Sequence, residues 1–153
     1  REIGDRSGEC ATLNNISQIF QAQGDYETAL KYLEKSLEIS REIGDRSGEG
    51  TTLNNIAGIY QTQGDYETAL KYLEESLEIS QEIGDRSGVC VTLFNIGHIH
   101  MKNSEREQAI MKWLSAYSIA KEIGLAQALS ALDNLAKQLG GSGLEFWEEL
   151  INK

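Results

Sequence analysis

Apolar residues recur along this chain in two alternating stripes, both at helical spacing. Between Asp45 and Gln63, Leu53, Ile56, Ile59 and Tyr60 fall at i, i+3, i+6 and i+7, one face of a helix. Between Asp65 and Gly84 a second stripe carries Ala69, Leu70, Leu73, Leu77 and Ile79 and runs on through Ile83. The pairs Gly44-Asp45, Gly64-Asp65 and Gly84-Asp85 punctuate the two stripes. Glycine accepts the left-handed backbone that ends a helix, and aspartate accepts from the exposed amides that begin the next. The pattern predicts helix A from about Arg46 to Thr62 and helix B from about Tyr66 to Ile83, joined as a hairpin. The chain has no proline, so nothing forces helix B to stop early.

The pattern repeats. Arg1 to Ser40 and Arg41 to Ser80 are the same 40-residue string except at seven positions: Cys10/Gly50, Ala11/Thr51, Ser17/Ala57, Gln18/Gly58, Phe20/Tyr60, Ala22/Thr62 and Lys35/Glu75. Gln81 to Ala120 keeps the frame and diverges in detail; the copy from Lys121 starts in frame and breaks down. A fixed period of this length, with units too small to stand alone, specifies an all-α solenoid in which each unit touches only its neighbours. Small residues recur at fixed points: Ala29, Ala69 and Ala109 on helix B, and Ser17, Ala57, Gly97 and Ala136 on helix A. They mark where two helix axes approach closely. The expectation is about seven long helices, one short terminal helix and no strand. The expected divisions are a helix tail at 1–4, repeats at 5–44, 45–84 and 85–124, and a degenerate fourth unit or C-terminal cap at 125–153.

The ends depart from the period. Arg1-Glu2-Ile3-Gly4 matches Arg41-Glu42-Ile43-Gly44, the tail of a helix B, and there is no initiator Met; the expectation is a piece of a longer protein. Near the other end Leu132-Asp133-Asn134-Leu135-Ala136 matches Leu93 to Gly97 one residue out of frame, and Gly140-Gly141-Ser142-Gly143 replaces the tight turn. Leu144, Trp147 and Ile151 then define a short amphipathic helix, with Trp147 expected to plug the last apolar face.

Charge narrows the partners. The net charge is -10, from 24 acidic and 14 basic residues. Nucleic acid and anionic membrane both require a basic surface, so neither is expected as a partner. No apolar run reaches the length of a membrane span, and the N-terminus lacks the basic-then-apolar order of a signal peptide. Cys10 and Cys90 occupy the same point two repeats apart, about 20 Å by helix stacking. A disulfide needs Cα atoms within about 7 Å, so both are expected as free thiols, consistent with a reducing cytoplasm. His98 and His100 are two apart and face different sides of a helix, so no metal is expected, and no cofactor. No serine sits in a nucleophile-elbow context, the recurring Gly-Asp-Arg-Ser-Gly is explained by capping, and the Glu runs of helix B lie on a solvated face; the chain is not expected to be an enzyme.

The string Leu53-x-x-Ile56-Ala57-x-x-Tyr60, followed by Gly64-Asp65-Tyr66, Ala69, Leu73 and Ser76, resembles the tetratricopeptide repeat. The 40-residue period, the Glu-Ile-Gly-Asp-Arg segment and Leu-Asn-Asn-Ile are similar to the longer subclass of kinesin light chains and of spindle-orientation adaptors that bind G-protein subunits. Leu13, Leu53 and Leu93 stand where the family carries a bulky tryptophan-like residue, and Arg41, Gln81 and Lys121 replace its helix-ending proline. The resemblance implies a right-handed superhelix of hairpins whose A helices line a concave groove. It further implies an amide ladder, Asn15, Asn55, Asn95 and Asn134, that holds the backbone of an extended peptide; the other reading is that these Asn tie neighbouring repeats together.

The groove positions change along the chain. Repeats one and two offer neutral polar residues, with Asn14, Gln18, Asn54 and Gln61 among them; repeat three turns apolar and partly basic at Val91, Phe94, His98, Met101 and Lys102, and the fourth helix A adds Lys137. The expected ligand is an extended protein segment with acidic and apolar residues, lying across Asn15, Asn55 and Asn95 and anchored near Phe94, His98 and Met101. The leading function is thus a cytoplasmic protein-interaction module. The rivals are a regulatory or sensor segment of a larger signalling enzyme, and a self-assembling repeat that stacks through its open N-terminal end.

Overall fold

In the computed structural model the described residues are 3–153, with side chains from Asp5 onward. Arg1 and Glu2, the first half of the expected helix tail, lie outside the described residues. All regular structure among the described residues is helical: α1 (Ile3–Ala22), α2 (Tyr26–Ile43), α3 (Arg46–Thr62), α4 (Tyr66–Ile83), α5 (Arg86–Lys102), α6 (Arg106–Ile123), α7 (Ala126–Gln138) and the short α8 (Glu145–Ile151). Seven long helices and one short one match the count read from the period. One boundary differs: α1 runs through Gly4-Asp5 without a break. At the equivalent Gly44-Asp45 turn the Asp45 amide donates to the Ser40 carbonyl at 2.9 Å.

The chain forms two compact units, Arg1–Ile83 and Gly84–Lys153. In the first, hairpins α1/α2 and α3/α4 are joined by packing of α2 on α3. In the second, α6 packs on α5, α7 and α8. The helix starts use the expected caps: the carboxylates of Asp25 and Asp65 accept from Thr28 and Thr68 at 3.2 Å, those of Asp45 and Asp85 from Gly48 and Gly88 at 2.9 Å. The turns between helices share one bond, Asp25 to Phe20, Asp65 to Tyr60, Glu105 to His100 and Leu125 to Ala120, all between 2.8 and 2.9 Å.

The small residues mark the close crossings. Ala29, Ala69 and Ala109 are wholly buried, as are Ala57 and Ala136, and Ser17 is nearly so. In the first unit Leu33, Leu53, Ile56 and Ile59 pack around Ala29, with Leu37 and Ile79 at the margin. Each such aliphatic side chain contributes about 1.5–3 kcal/mol on burial. Glu49 of α3 is buried too, neutralised by Arg46 at 2.9 Å and by Arg41 of α2 at 3.1 Å. At the surface Arg6–Glu42, Arg46–Glu82 and Arg86–Glu122 repeat one ion pair in three hairpins. Exposed pairs of this kind are worth about 0–1 kcal/mol each.

The second unit solves the same packing problem with larger side chains. Trp113 stands where the other hairpins have Leu33 and Leu73, and is buried. Its indole N–H donates to the Phe94 carbonyl at 3.0 Å. Gly97 makes the room: a Cβ there would lie 2.3 Å from Trp113 Nε1. Trp147 of α8 repeats the device, wholly buried, its indole donating to the Leu132 carbonyl at 2.9 Å, with its ring edge-on to Trp113. It covers the end of this unit's core, as the sequence suggests. Glu148 then pins α8 to α6, accepting from Tyr117 at 2.5 Å and pairing with Lys121. Burial and this bond to a carboxylate push the Tyr117 phenol up to about 12, so it stays a proton donor at ordinary pH.

These local exchanges can be tested by substitution. Gly97→Ala should overpack the Trp113 contact and cost about 1–3 kcal/mol in denaturant unfolding. The double variant Gly97→Ala/Trp113→Leu restores the small-large pairing of the second hairpin and should recover part of that loss. A Gly97→Ala chain as stable as the parent would refute the crossing. The α5–α6 turn is the second case. Ser104 holds φ at 62° where the first two hairpins have Gly24 and Gly64, and Glu105 makes no side-chain cap. Ser104→Gly together with Glu105→Asp should stabilise by about 1–2 kcal/mol, by relieving the left-handed Ser and supplying the missing cap.

Candidate functional site

Each unit has a groove between its A helices, and the two grooves differ in chemistry. In the first unit the seam between α1 and α3 opens into two adjoining hollows. One, of about 430 Å³, is lined by Ser7, Cys10, Ala11, Asn14, Asn15 and Gln18 of α1 and by Asp45, Ser47, Gly48, Thr51 and Asn55. The other, of about 530 Å³, lies between Gln18, Gln21, Ala22, Tyr26, Asn54, Asn55 and Gly58. Amide and hydroxyl side chains recur in both linings, and each amide offers both donors and acceptors.

In the second unit the seam between α5 and α7 is an apolar cleft of about 240 Å³. Cys90, Val91 and Phe94 form one wall; Leu125, Ala128 and Ala131 form the other, with Ser87 and Gln127 at the rim. Val91 is 46% exposed, a large aliphatic side chain facing solvent. The difference traces to single positions: Val91 stands where Ala11 and Thr51 are, and Phe94 where Asn14 and Asn54 are. The small alanines of α7 leave the facing wall recessed, so the Phe94 edge is open to the cleft. Cys90 is buried at its base, donates its thiol hydrogen to the Ala116 carbonyl at 3.3 Å, and is pushed up by burial away from the reactive thiolate.

The structure groups the residues singled out in the sequence as follows. Asn14, Asn15, Gln18, Asn54 and Asn55 come together in the α1–α3 hollows. Gln61 sits half-buried near the end of α3. Phe94 enters the α5–α7 cleft, and His98 lies edge-on to it at 4.6 Å and to Trp113 at 5.3 Å. Asn95 is half-buried on α5; Met101 and Lys102 end that helix. Asn134 and Lys137 are exposed on α7. Lys137 is paired with Asp133 at 3.1 Å, which offsets the basic character expected of it. His100 turns to Glu105 at 3.1 Å, away from His98's aromatic neighbours.

The inter-helix ties involve an asparagine one place earlier than the series picked out in the sequence. Asn14 donates to Ser36 of α2 and to Thr52 of α3, both at 3.3 Å, and its carbonyl receives Asn55 at 3.4 Å. Ser36 and Thr52 lie 3.3 Å apart, and Ser36 also reaches the Cys10 carbonyl. This polar knot joins three helices and fixes one side of the hollow. Its sequence signal is the serine at Ser36 and Ser76 on an otherwise apolar helix face, together with Thr52 and Thr92. In the third repeat Ala116 and Phe94 replace the serine and the asparagine. Among the described residues no group of three His, Cys, Asp or Glu could hold a metal, and no helix is long and apolar enough to cross a membrane.

Residues 8–84 match the family model described as Tetratricopeptide repeat, and residues 59–139 match that of Anaphase-promoting complex subunit 5. No curated protein matches the chain. Among solved structures, BtubC (BKLC) from P. vanneervenii is 21% identical with a TM-score of 0.71, covering 94% of this chain and 60% of its own. The TPR domain of Arabidopsis FLU is 19% identical at 0.70, covering 76% of this chain and 98% of its own. Aspartyl phosphate phosphatase F from Bacillus subtilis is 18% identical at 0.77, covering 88% of this chain and 37% of its own. At such identities the likeness is one of fold. The chain spans less than two thirds of the first and the third.

His98 supplies a pH test of the cleft wall. Burial, and then the neighbouring Lys102, pull its pKa below the usual histidine range. The unfolded chain therefore takes up a proton on this ring before the folded one does. The stability it contributes is complete above about pH 6.5, the unfolded value, and is lost as pH falls through the lower folded value. His98→Gln, the residue Gln18 shows at that position, should flatten the fall in melting temperature between about pH 7.5 and 5. Parallel curves for parent and variant would mean that His98 is not held neutral.

Proposed function

We infer the function from one premise: the chain belongs to the tetratricopeptide repeat family, whose model matches half its length. A protein-interaction module is the activity that family and fold support. We propose that this chain is such a module, non-enzymatic and cytoplasmic, of the 40-residue subclass, and that it takes an extended protein segment in the grooves between its A helices. The observation that carries the reading is the open apolar cleft at Val91 and Phe94. Most exposed aliphatic side chains on a folded domain are isolated; here one lies in a recess walled by five other apolar side chains. An aliphatic or aromatic side chain of the ligand would displace poorly held water there. In the first unit the amides of Asn15, Asn55 and Gln18 would hold ligand backbone. Asn95, Asn134, His98, Met101, Lys102 and Lys137 would add selectivity around the anchor.

A second reading, self-association, draws on another observation. Ile19 of α1 is 58% exposed although its counterparts Ile59 and Ile99 are wholly buried. Sedimentation over a wide concentration range tests it, and a constant mass would dispose of it.

The groove reading is tested by selecting a random peptide library on the intact chain. Enriched peptides should share an apolar anchor residue, and Val91→Asp should abolish their binding without changing the circular dichroism. Asn55→Ala should weaken them by about 1 kcal/mol for each hydrogen bond lost. Enriched peptides indifferent to both substitutions would place binding on another surface.

A further inference from the structure

Each wall of the α5–α7 cleft is held from behind by an indole, and the two indoles are in contact. On the α5 wall the Phe94 carbonyl accepts from Trp113 of α6 at 3.0 Å. On the α7 side the carbonyl of Leu132, next to the wall residue Ala131, accepts from Trp147 of α8 at 2.9 Å. The two rings meet edge-on with centroids 6.5 Å apart. The line of edge-on rings continues both ways, through His98 to Phe94 at one end and to Phe146 at the other. Rings packed this way have little free space between them, so a shift of one is passed to the next.

Helix α8 makes the remaining bonds of this frame. It packs on α6, where Glu148 accepts from Tyr117 at 2.5 Å and pairs with Lys121. It also holds α7 a second time, because the Leu144 amide at its start donates to Asp133 at 3.1 Å. Gly143 lets the chain come so near: its φ is 112°, and a Cβ there would lie 2.5 Å from the Asp133 carboxylate. Helices α5, α6, α8 and α7 thus form a bonded circuit, and the cleft lies between its two ends. A helix of seven residues has no stability of its own, so α8 depends on Trp147 and Glu148 together.

We propose that α8 is a latch for the cleft: its seating on α6 fixes α7, and with it the gap between Phe94 and the alanines Ala128 and Ala131. Trp147 is the positioning residue of this device and Glu148 its clasp. When α8 lifts, α7 loses two bonds and the recess widens. A ligand side chain lodged between α5 and α7 needs the narrow form, so occupancy of the cleft and seating of α8 strengthen each other. That last step rests on the cleft being the ligand anchor; the latch itself does not.

Cys90, buried at the base of the cleft, reports the gap without any ligand, and Cys10, buried in the first unit, is the reference thiol. The intact chain is treated with dithionitrobenzoate, and labelling at each cysteine is followed by peptide mass spectrometry. In Glu148→Ala, Cys90 should react at least tenfold faster than in the parent and Cys10 at an unchanged rate. The acceleration should be nearly independent of urea at low concentration, as for a local opening. Trp147→Phe keeps a ring and removes its donor, and should act in the same direction; Glu148→Ala decides if that variant does not fold. Glu149→Ala, exposed on the same helix, should leave Cys90 at the parent rate. An unchanged Cys90 rate in Glu148→Ala overturns the latch. An acceleration that climbs steeply with urea overturns it too, since the second unit would then be unfolding as a whole. A peptide enriched on the parent chain should bind Glu148→Ala at least threefold more weakly. Equal binding to both chains, beside faster Cys90 labelling, upholds the latch and counts against this cleft as the anchor, so the two readings fail separately.

Discussion

The closest approaches in this molecule are made at alanine, serine and glycine. Where helix B crosses helix A, Ala29, Ala69 and Ala109 present only a Cβ, and Ser17, Ala57 and Gly97 answer from the other side. Close axes let the flanking Leu and Ile reach across and fill the grooves, and also set the tilt between the two helices of each hairpin. One consequence is that a hairpin leaves an apolar face on each helix that its own partner cannot reach. In the first unit α2 covers that face of α3; in the second, Trp147 and α8 cover the last one. Each covering element has a specific device: the Ser36–Thr52–Asn14 knot on one side, an indole hydrogen bond to a backbone carbonyl on the other.

How much of this was legible in the sequence depends on the kind of interaction. Helix existence, hairpin pairing and the buried crossing residues arise from period and capping. Both are local properties, and the duplicate copies report them twice. The cap chemistry at Asp25, Asp45, Asp65 and Asp85 is readable for the same reason. The Trp113–Gly97 exchange is only half legible. Gly97 stands out as a small crossing residue, but that it admits an indole depends on a partner sixteen places away. The Asn14 knot was hidden because three weak hydrogen bonds converge from three helices, and no spacing rule reports convergence. The sequence pointed to Asn15 and Asn55 as a series; the contacts make Asn14 the residue that joins helices and Asn55 its neighbour. Lys137 is a similar case, since its charge could be counted but its pairing with Asp133 could not.

Divergence of the third repeat looks, position by position, like decay. Gly64 becomes Ser104, the cap Asp65 becomes Glu105, the stacked Tyr60–Tyr72 pair becomes His100 and Lys112, and the asparagine of Asn14 and Asn54 becomes Phe94. Taken together the changes move in one direction. Losing the asparagine and the serine removes the polar knot, and the tie is replaced by Trp113 holding the Phe94 backbone through its indole. That replacement frees the Phe94 side chain from any duty in joining helices, and it faces the cleft instead. His98, kept neutral by its surroundings, rests edge-on between the two rings.

The two grooves can thus be understood as alternative solutions to one structural problem. A seam between A helices must be held at a fixed width. A polar knot holds it with amides and hydroxyls that also line the hollow, so the surface on offer is one of hydrogen bonds. In the second unit the Trp113 indole ties α6 to the α5 backbone from the helix B side and leaves the front of α5 free to be apolar. Apolar recesses gain by expelling water and reward shape, whereas amide-lined ones exchange hydrogen bonds with water at little net gain and reward extended backbone. The marginal stability given up at Ser104 and Glu105 lies in the turn joining α5 and α6, away from the apolar cleft wall formed by α5 and α7.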